Sequence, residues 1–170
     1  MMKPHFEMMA GYNGWANERL YDAAAALTDG LYRKEHGAFF VSIHRTLNHI
    51  LVGDRIWMGR FTGTDGAPTK LDVVLFDEFD ELRLARQSED DRIVGYIGGL
   101  SESDLAGRFR YRTITNPTDV EQPLAPALTH FFNHQTHHRG QVTALLTRLA
   151  LEAPCVDLVY FNLETGIGLG

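Results

Sequence analysis

The chain has 170 residues, 44% apolar and 22% charged, which suits one ordinary globular domain with a buried core. Sixteen basic against 22 acidic residues give a formal charge of −6 without a stripe of Lys and Arg, which argues against a nucleic-acid partner. One cysteine excludes an internal disulfide or a cysteine-rich zinc site, no apolar run reaches the roughly 18 residues that span a bilayer, and no apolar signal core follows Met1, so a cytoplasmic protein without a membrane partner is expected.

The first predicted element is a helix over about 6–27. Met9, Ala16, Leu20 and Leu27 recur at helical spacing beside Tyr12, and Ala23 to Ala26 is a strong helix former. Thr28-Asp29-Gly30 stops it, and 31–38 reads as a loop. A second helix, about 39–61, carries Phe39, Ile43, Leu47, Ile50, Trp57 and Phe61 at three- and four-residue steps. Gly53 and Gly59 inside it each cost roughly 1 kcal/mol relative to alanine, but they also permit the close approach of a neighbour. Residues 62–69 form a loop. The third helix, about 76–98, is the most charged, with a thin apolar stripe of Phe79, Leu82, Ala85 or Arg86, Ile93 and Ile97.

From Arg108 the pattern alternates, Asn116-Pro117 marks a turn, and 118–122 pairs back as a short hairpin. Pro123 opens the fourth helix, which runs to about Leu151; a proline in the first turn is tolerated because its missing N–H had no helical partner. Pro154 prevents continuation, 156–163 forms a short amphipathic segment across the bundle, and 166–170 is a tail. With no repeat and no long linker, the expected architecture is one all-α domain over 1–170. It is a four-helix bundle with a short β-hairpin before the last long helix.

The chemistry is concentrated between His130 and Gln141. His130, His134 and His138 are four residues apart, so each step returns the side chain to nearly the same helix face. Val142, Leu145 and Leu149 continue that face, which turns the histidines inward, where an unpaired imidazole is costly to bury. Two histidines at this spacing can reach one cation. Phe131 and Gln135 stand where a zinc protease needs its glutamate, which disfavours peptide hydrolysis.

In the second helix, His49 shares an inward arc with Ile50, Val52 and Ile56. With His134 and His138 it would give three neutral nitrogens and leave open positions on a metal, as catalytic zinc requires. Asp54 lies near the same arc, where it would orient an imidazole or bind a water. Periodicity alone leaves a second reading open: a metal-free bundle whose core histidines are satisfied by hydrogen bonds. His5, His36 and His44, each alone, read as ordinary core histidines. Cys155 has nothing nearby to lower its pKa and reads as a buried, inert thiol.

Three segments carry a family resemblance. Tyr12-Asn13-Gly14-Trp15-Ala16-Asn17-Glu18-Arg19-Leu20 is similar to the opening helix of the DinB/YfiT superfamily. Ser42 to Leu51, followed by Asp54-Arg55-Ile56-Trp57, resembles its second helix, and Phe132 to Gln141 resembles its C-terminal signature. The resemblance implies a four-helix bundle holding a divalent metal ion, zinc or nickel, through His49, His134 and His138. His130, one turn away, would then either support a ligand from behind or form pocket wall, and His137 would be exposed. Members of this superfamily include transferases and isomerases that use thiols such as bacillithiol, mycothiol or glutathione.

The activity implied is metal-dependent thiol transfer to a small electrophilic substrate, with a low-molecular-weight thiol as cosubstrate and a homodimer as the assembly. Tyr12, Trp15 and Trp57 are candidate pocket walls, and Asp54 and Gln141 candidate partners of the ligand N–H groups. No catalytic group is assigned. The competing function is a non-catalytic, metal-binding stress-response protein.

Overall fold

A computed structural model describes residues 1–37, 40–149 and 151–169. Helix α1 (Lys3–Ala25) carries Pro4 in its first turn, and the Glu102 carboxylate accepts from the Met2 and Lys3 amides at 3.0 Å each. The short α2 (Asp29–Arg33) is capped by the Thr28 hydroxyl. Helix α3 (Ile43–Thr62) is capped by Ser42, whose hydroxyl accepts from the Arg45 amide, and ends at Gly63 in the left-handed conformation (φ 65°). Then follow α4 (Phe79–Gly99), α5 (Glu102–Ala106), strands β1 (Arg108–Arg112) and β2 (Asp119–Pro123), α6 (Leu124–Arg148) and α7 (Leu158–Thr165).

The expected helical bundle and hairpin are both present, with local differences. Thr28-Asp29-Gly30 does more than stop α1: Thr28 starts a new helical turn inside the expected loop. The second helix starts at Ile43 rather than near 39 because Ser42 takes an extended, capping conformation; Phe39 lies outside the described residues. The third starts at Phe79 rather than 76. The Asn48 side chain holds the preceding backbone, accepting from the Leu75 and Phe76 amides and donating to the Phe76 carbonyl. Helix α5 was not expected, although Ser101 and Asp104 form a reciprocal capping box. Helix α6 ends at Arg148, short of 151. Cys155 is exposed rather than buried, as is His5, while His44 is a buried histidine bonded to the Phe76 carbonyl (3.3 Å).

Helix α1 packs on α4 and α6, and α3 packs on the same two, so the four long helices close a ring. Buried apolar side chains form three clusters, a small one of Tyr12, Ala16 and Phe161 and two large ones that give the helix directions. Along α1 they pass from Phe6 and Ala10 in one cluster to Leu20, Tyr21 and Ala24 in the other, and α6 runs the same way from Leu128 and Phe132 to Val142 and Leu146. Along α3 and α4 the order is reversed, from Leu47 and Leu82 to Met58 and Ile97. Hence α1 and α6 are parallel to each other and antiparallel to α3 and α4. The parallel neighbours α3 and α4 need a connection that returns along the bundle, and residues 63–78 supply it.

Between the apolar clusters lies a polar layer drawn from all four helices. Asp54 of α3 is fully buried and accepts from Arg86 of α4 and from Gln135 Nε2 of α6 (2.8 Å). Arg86 also pairs with Asp90 (3.0 Å), whose carboxylate accepts from Asn13 and Asn17 of α1; Arg139 of α6 donates back to Asn13. The hairpin pairs Phe109 with Gln122 and Tyr111 with Val120, and it turns Phe109 and Tyr111 onto Phe61 and Trp57 of α3. No helix among the described residues is long and apolar enough to cross a membrane.

Breaking the Asp54–Arg86 pair leaves a carboxylate in the layer without its guanidinium. Arg86→Met is expected to lower stability by about 3–5 kcal/mol in urea unfolding. A loss under about 1 kcal/mol would show that the layer is hydrated and does not depend on the pair.

Candidate metal centre

The three histidines singled out from the sequence come together where α3 meets α6. One ligand atom from each of His49, His134 and His138 lies within 4.8 Å of the other two. His49 and His138 are buried, while His134 is half-buried. Imidazole nitrogens bound to zinc stand about 2.0–2.1 Å from the ion, so two on one ion are roughly 3–3.5 Å apart. His49 Nε2 and His138 Nε2 are 3.2 Å apart.

Hydrogen bonds behind the rings decide what those facing atoms carry. His49 Nδ1 meets the Leu71 carbonyl at 2.8 Å, and a carbonyl only accepts, so the proton is on Nδ1. His138 Nδ1 meets Gln141 Oε1 at 2.9 Å, and Gln141 turns its amide nitrogen to His137. Both rings therefore present bare Nε2 lone pairs to each other. Burial pushes His49 down to about 4 and His134 to about 3, with neighbouring imidazoles adding to the effect, and it lowers His138 as well. A shared proton is thus disfavoured. A divalent cation satisfies all the lone pairs at once, and three neutral nitrogens are a donor set that zinc and nickel accept.

Local packing holds this arrangement. A Cβ added at Gly53 would lie 2.8 Å from His134 Cε1, so a glycine is what lets α3 and the His134 ring approach. One residue along each helix, the buried Asp54–Gln135 bond ties α3 to α6. The Phe40 ring stacks on His49 with centroids 3.7 Å apart. The connection that returns along the bundle provides the Leu71 carbonyl.

Beside His134 opens a cavity of about 510 Å³, lined by one face of α3 (Gly53, Ile56, Trp57, Arg60), by Leu71, by His130 and by the hairpin turn from Thr113 to Thr118. His130 and Trp57 stand with rings 5.0 Å apart, so both are wall residues. Gln141 contacts a histidine of the cluster. His137 is exposed.

Three expectations need correction. Asp54 touches no imidazole of the cluster, because its oxygens are taken by Arg86 and Gln135. Tyr12 and Trp15 do not line this cavity; they pack with Phe161 of α7, and Tyr12 donates to the Val156 carbonyl at 2.7 Å. Sequence reasoning overlooked Phe40, the Leu71 carbonyl and Arg60, and it placed the hairpin turn without giving it a part in the site. Arg60 was accessible to it, lying three residues from Trp57 and seven from Gly53 on one helical face. A backbone carbonyl from a loop carries no such signal.

Comparison with known proteins identifies the family and the fold. The DinB family model matches residues 1–166. Protein DinB of Bacillus subtilis is 26% identical over 154 residues, covering 86% of this chain and 87% of that protein. The crystal structure of a DinB-like protein from Bacillus cereus aligns with a TM-score of 0.64 at 21% identity, covering 84% of this chain and 91% of that one, which shows a shared fold.

The depressed imidazoles give a pH dependence of known sign. In the unfolded chain His49 and His134 return to the ordinary value near 6.5, so between about pH 6.5 and 4 the unfolded state holds more protons. Stability of chelator-treated protein is therefore full above about pH 6.5 and falls as pH drops through that window. Melting temperatures should fall more steeply for wild type than for His134→Ala; parallel profiles would contradict the assignment.

Proposed function

The chain belongs to the DinB family, and from that premise we propose that it is a metal-dependent thiol transferase. In this reading His49, His134 and His138 hold one divalent ion, zinc or nickel, and the adjoining cavity admits a low-molecular-weight thiol and a small electrophilic acceptor. The observation that carries it is the pair of bare, facing Nε2 atoms of His49 and His138, 3.2 Å apart, with His134 joining them at the edge of a cavity.

When bound, an ion held by three neutral ligands supplies a Lewis acid able to lower the pKa of a bound thiol. The chain's own groups do the rest. Leu71 and Gln141 hold the His49 and His138 rings in the tautomer that offers Nε2, and Phe40 covers the His49 face. His130, whose pKa burial lowers, is neutral at physiological pH and positioned in the cavity wall to take up the thiol proton. The sulfur, now a thiolate and the nucleophilic form, would bond to the electrophilic carbon as that carbon's bond to oxygen or halogen breaks: an opened epoxide keeps its oxygen and takes the proton back from His130, whereas a halide leaves as the anion and the proton passes to water. Trp57 and Ile56 give the acceptor an apolar surface.

The test has two parts. Elemental analysis is expected to find one zinc or nickel per chain in the wild type and almost none in a His134→Ala/His138→Ala variant; equal content in both would remove the site. Metal-loaded protein is then assayed with bacillithiol, mycothiol and glutathione against epoxide and haloarene acceptors. Turnover that depends on metal supports the transferase. Normal metal content with no turnover would favour the non-catalytic, metal-binding reading.

A further inference from the structure

Arg60 is the one Lys or Arg among the described residues that line the cavity beside His134, and no Asp or Glu lines it. Neighbouring arginines are already matched with carboxylates: Arg55 with Glu89, Arg108 and Arg110 with Glu121, and Arg112 with Asp119. Arg60 forms no ion pair among the described residues. Its guanidinium lies over the rings of Trp57 and Tyr111 instead, 4.6 Å from each centroid. Stacking occupies the faces of a guanidinium and leaves its N–H edges, which bind carboxylates in bidentate fashion. Burial presses against its charge, so an anion in the cavity would relieve a standing penalty.

We propose that Arg60 is a specificity residue that binds the carboxylate of a small monocarboxylate ligand whose other end faces His134. Apart from the ion proposed at His134, Arg60 is the single charge in this wall, and its end of the cavity suits one carboxylate. Thr115 and the Asn116 side chain provide uncharged polar groups at the hairpin side, the Thr113 and Thr118 hydroxyls being bonded to the Asn116 carbonyl, while Trp57 and Ile56 suit an apolar or aromatic body. The identity of the reacting end rests on the thiol-transfer reading; the carboxylate contact does not.

The test compares 3-phenylpropionate with its neutral amide, using Trp57 fluorescence in Trp15→Phe protein, both zinc-loaded and chelator-treated. In both forms the acid should bind at least about tenfold more tightly than the amide. Arg60→Gln should bring that ratio close to one without changing affinity for the amide or the melting temperature, and Arg60→Lys should keep part of the preference. Equal binding of acid and amide, no binding of either at millimolar concentration, or an unchanged ratio in folded Arg60→Gln would overturn the proposal. A preference seen only with zinc would also overturn it, because the metal would then be the anion's partner. A separate arm adds 3-mercaptopropionate and 3-mercaptopropionamide to cobalt-loaded protein. Absence of a thiolate–cobalt band with both would remove the thiol reading while leaving the Arg60 result standing.

Discussion

Two imidazoles whose protons are committed to acceptors behind them cannot hydrogen-bond to each other, and at 3.2 Å their facing lone pairs repel. Across the α3–α6 contact His49 and His138 are held in this way by Leu71 and Gln141. A cation between them converts the repulsion into two bonds, with His134 adding a third. Much of the surrounding construction serves that convergence. Gly53 makes room for the His134 ring, the crossing connection between α3 and α4 brings the Leu71 carbonyl to His49, and Phe40 lies over the His49 face.

The polar layer that crosses the bundle fits the same logic. Buried ion pairs are weak contributors to net stability, because desolvation offsets most of the attraction, but they penalise any packing that separates the partners. Asp54, Arg86, Asp90, Asn13, Asn17, Gln135 and Arg139 form bonds between all four long helices. The Asp54–Gln135 bond lies one residue from His134 and five from His49 along the chain. A sliding of α3 against α6 that would part the histidines would also strand a buried carboxylate. Register at the centre is thus enforced by groups that never touch it.

Much of this was legible in the amino-acid sequence, for identifiable reasons. Four-residue spacing placed His134 and His138 on one inward helical face, and the same arithmetic turned His49 inward; that the three belong together was implied by the family resemblance. The alternation of 108–112 and the Asn116-Pro117 turn marked the hairpin that walls the cavity. Periodicity describes single helices, however, and says little about what stands across from each face. Asp54 was correctly turned inward but bonds to Arg86 and Gln135, because nothing along α3 reveals which α4 residue it meets. Tyr12 and Trp15 face α7, whose packing depends on the chain's return after Pro154. Leu71 acts through its backbone and Asn48 through a distant loop, contacts with no local pattern.

The most direct measurement is X-ray absorption at the metal edge of zinc-loaded protein. Three imidazole nitrogens at about 2.0–2.1 Å, with outer scattering from three rings and one or two further light atoms, are the expected result. His49→Ala should remove one ring from that signal. A first shell containing sulfur, one with fewer than two imidazoles, or a spectrum unaltered by His49→Ala would contradict the account.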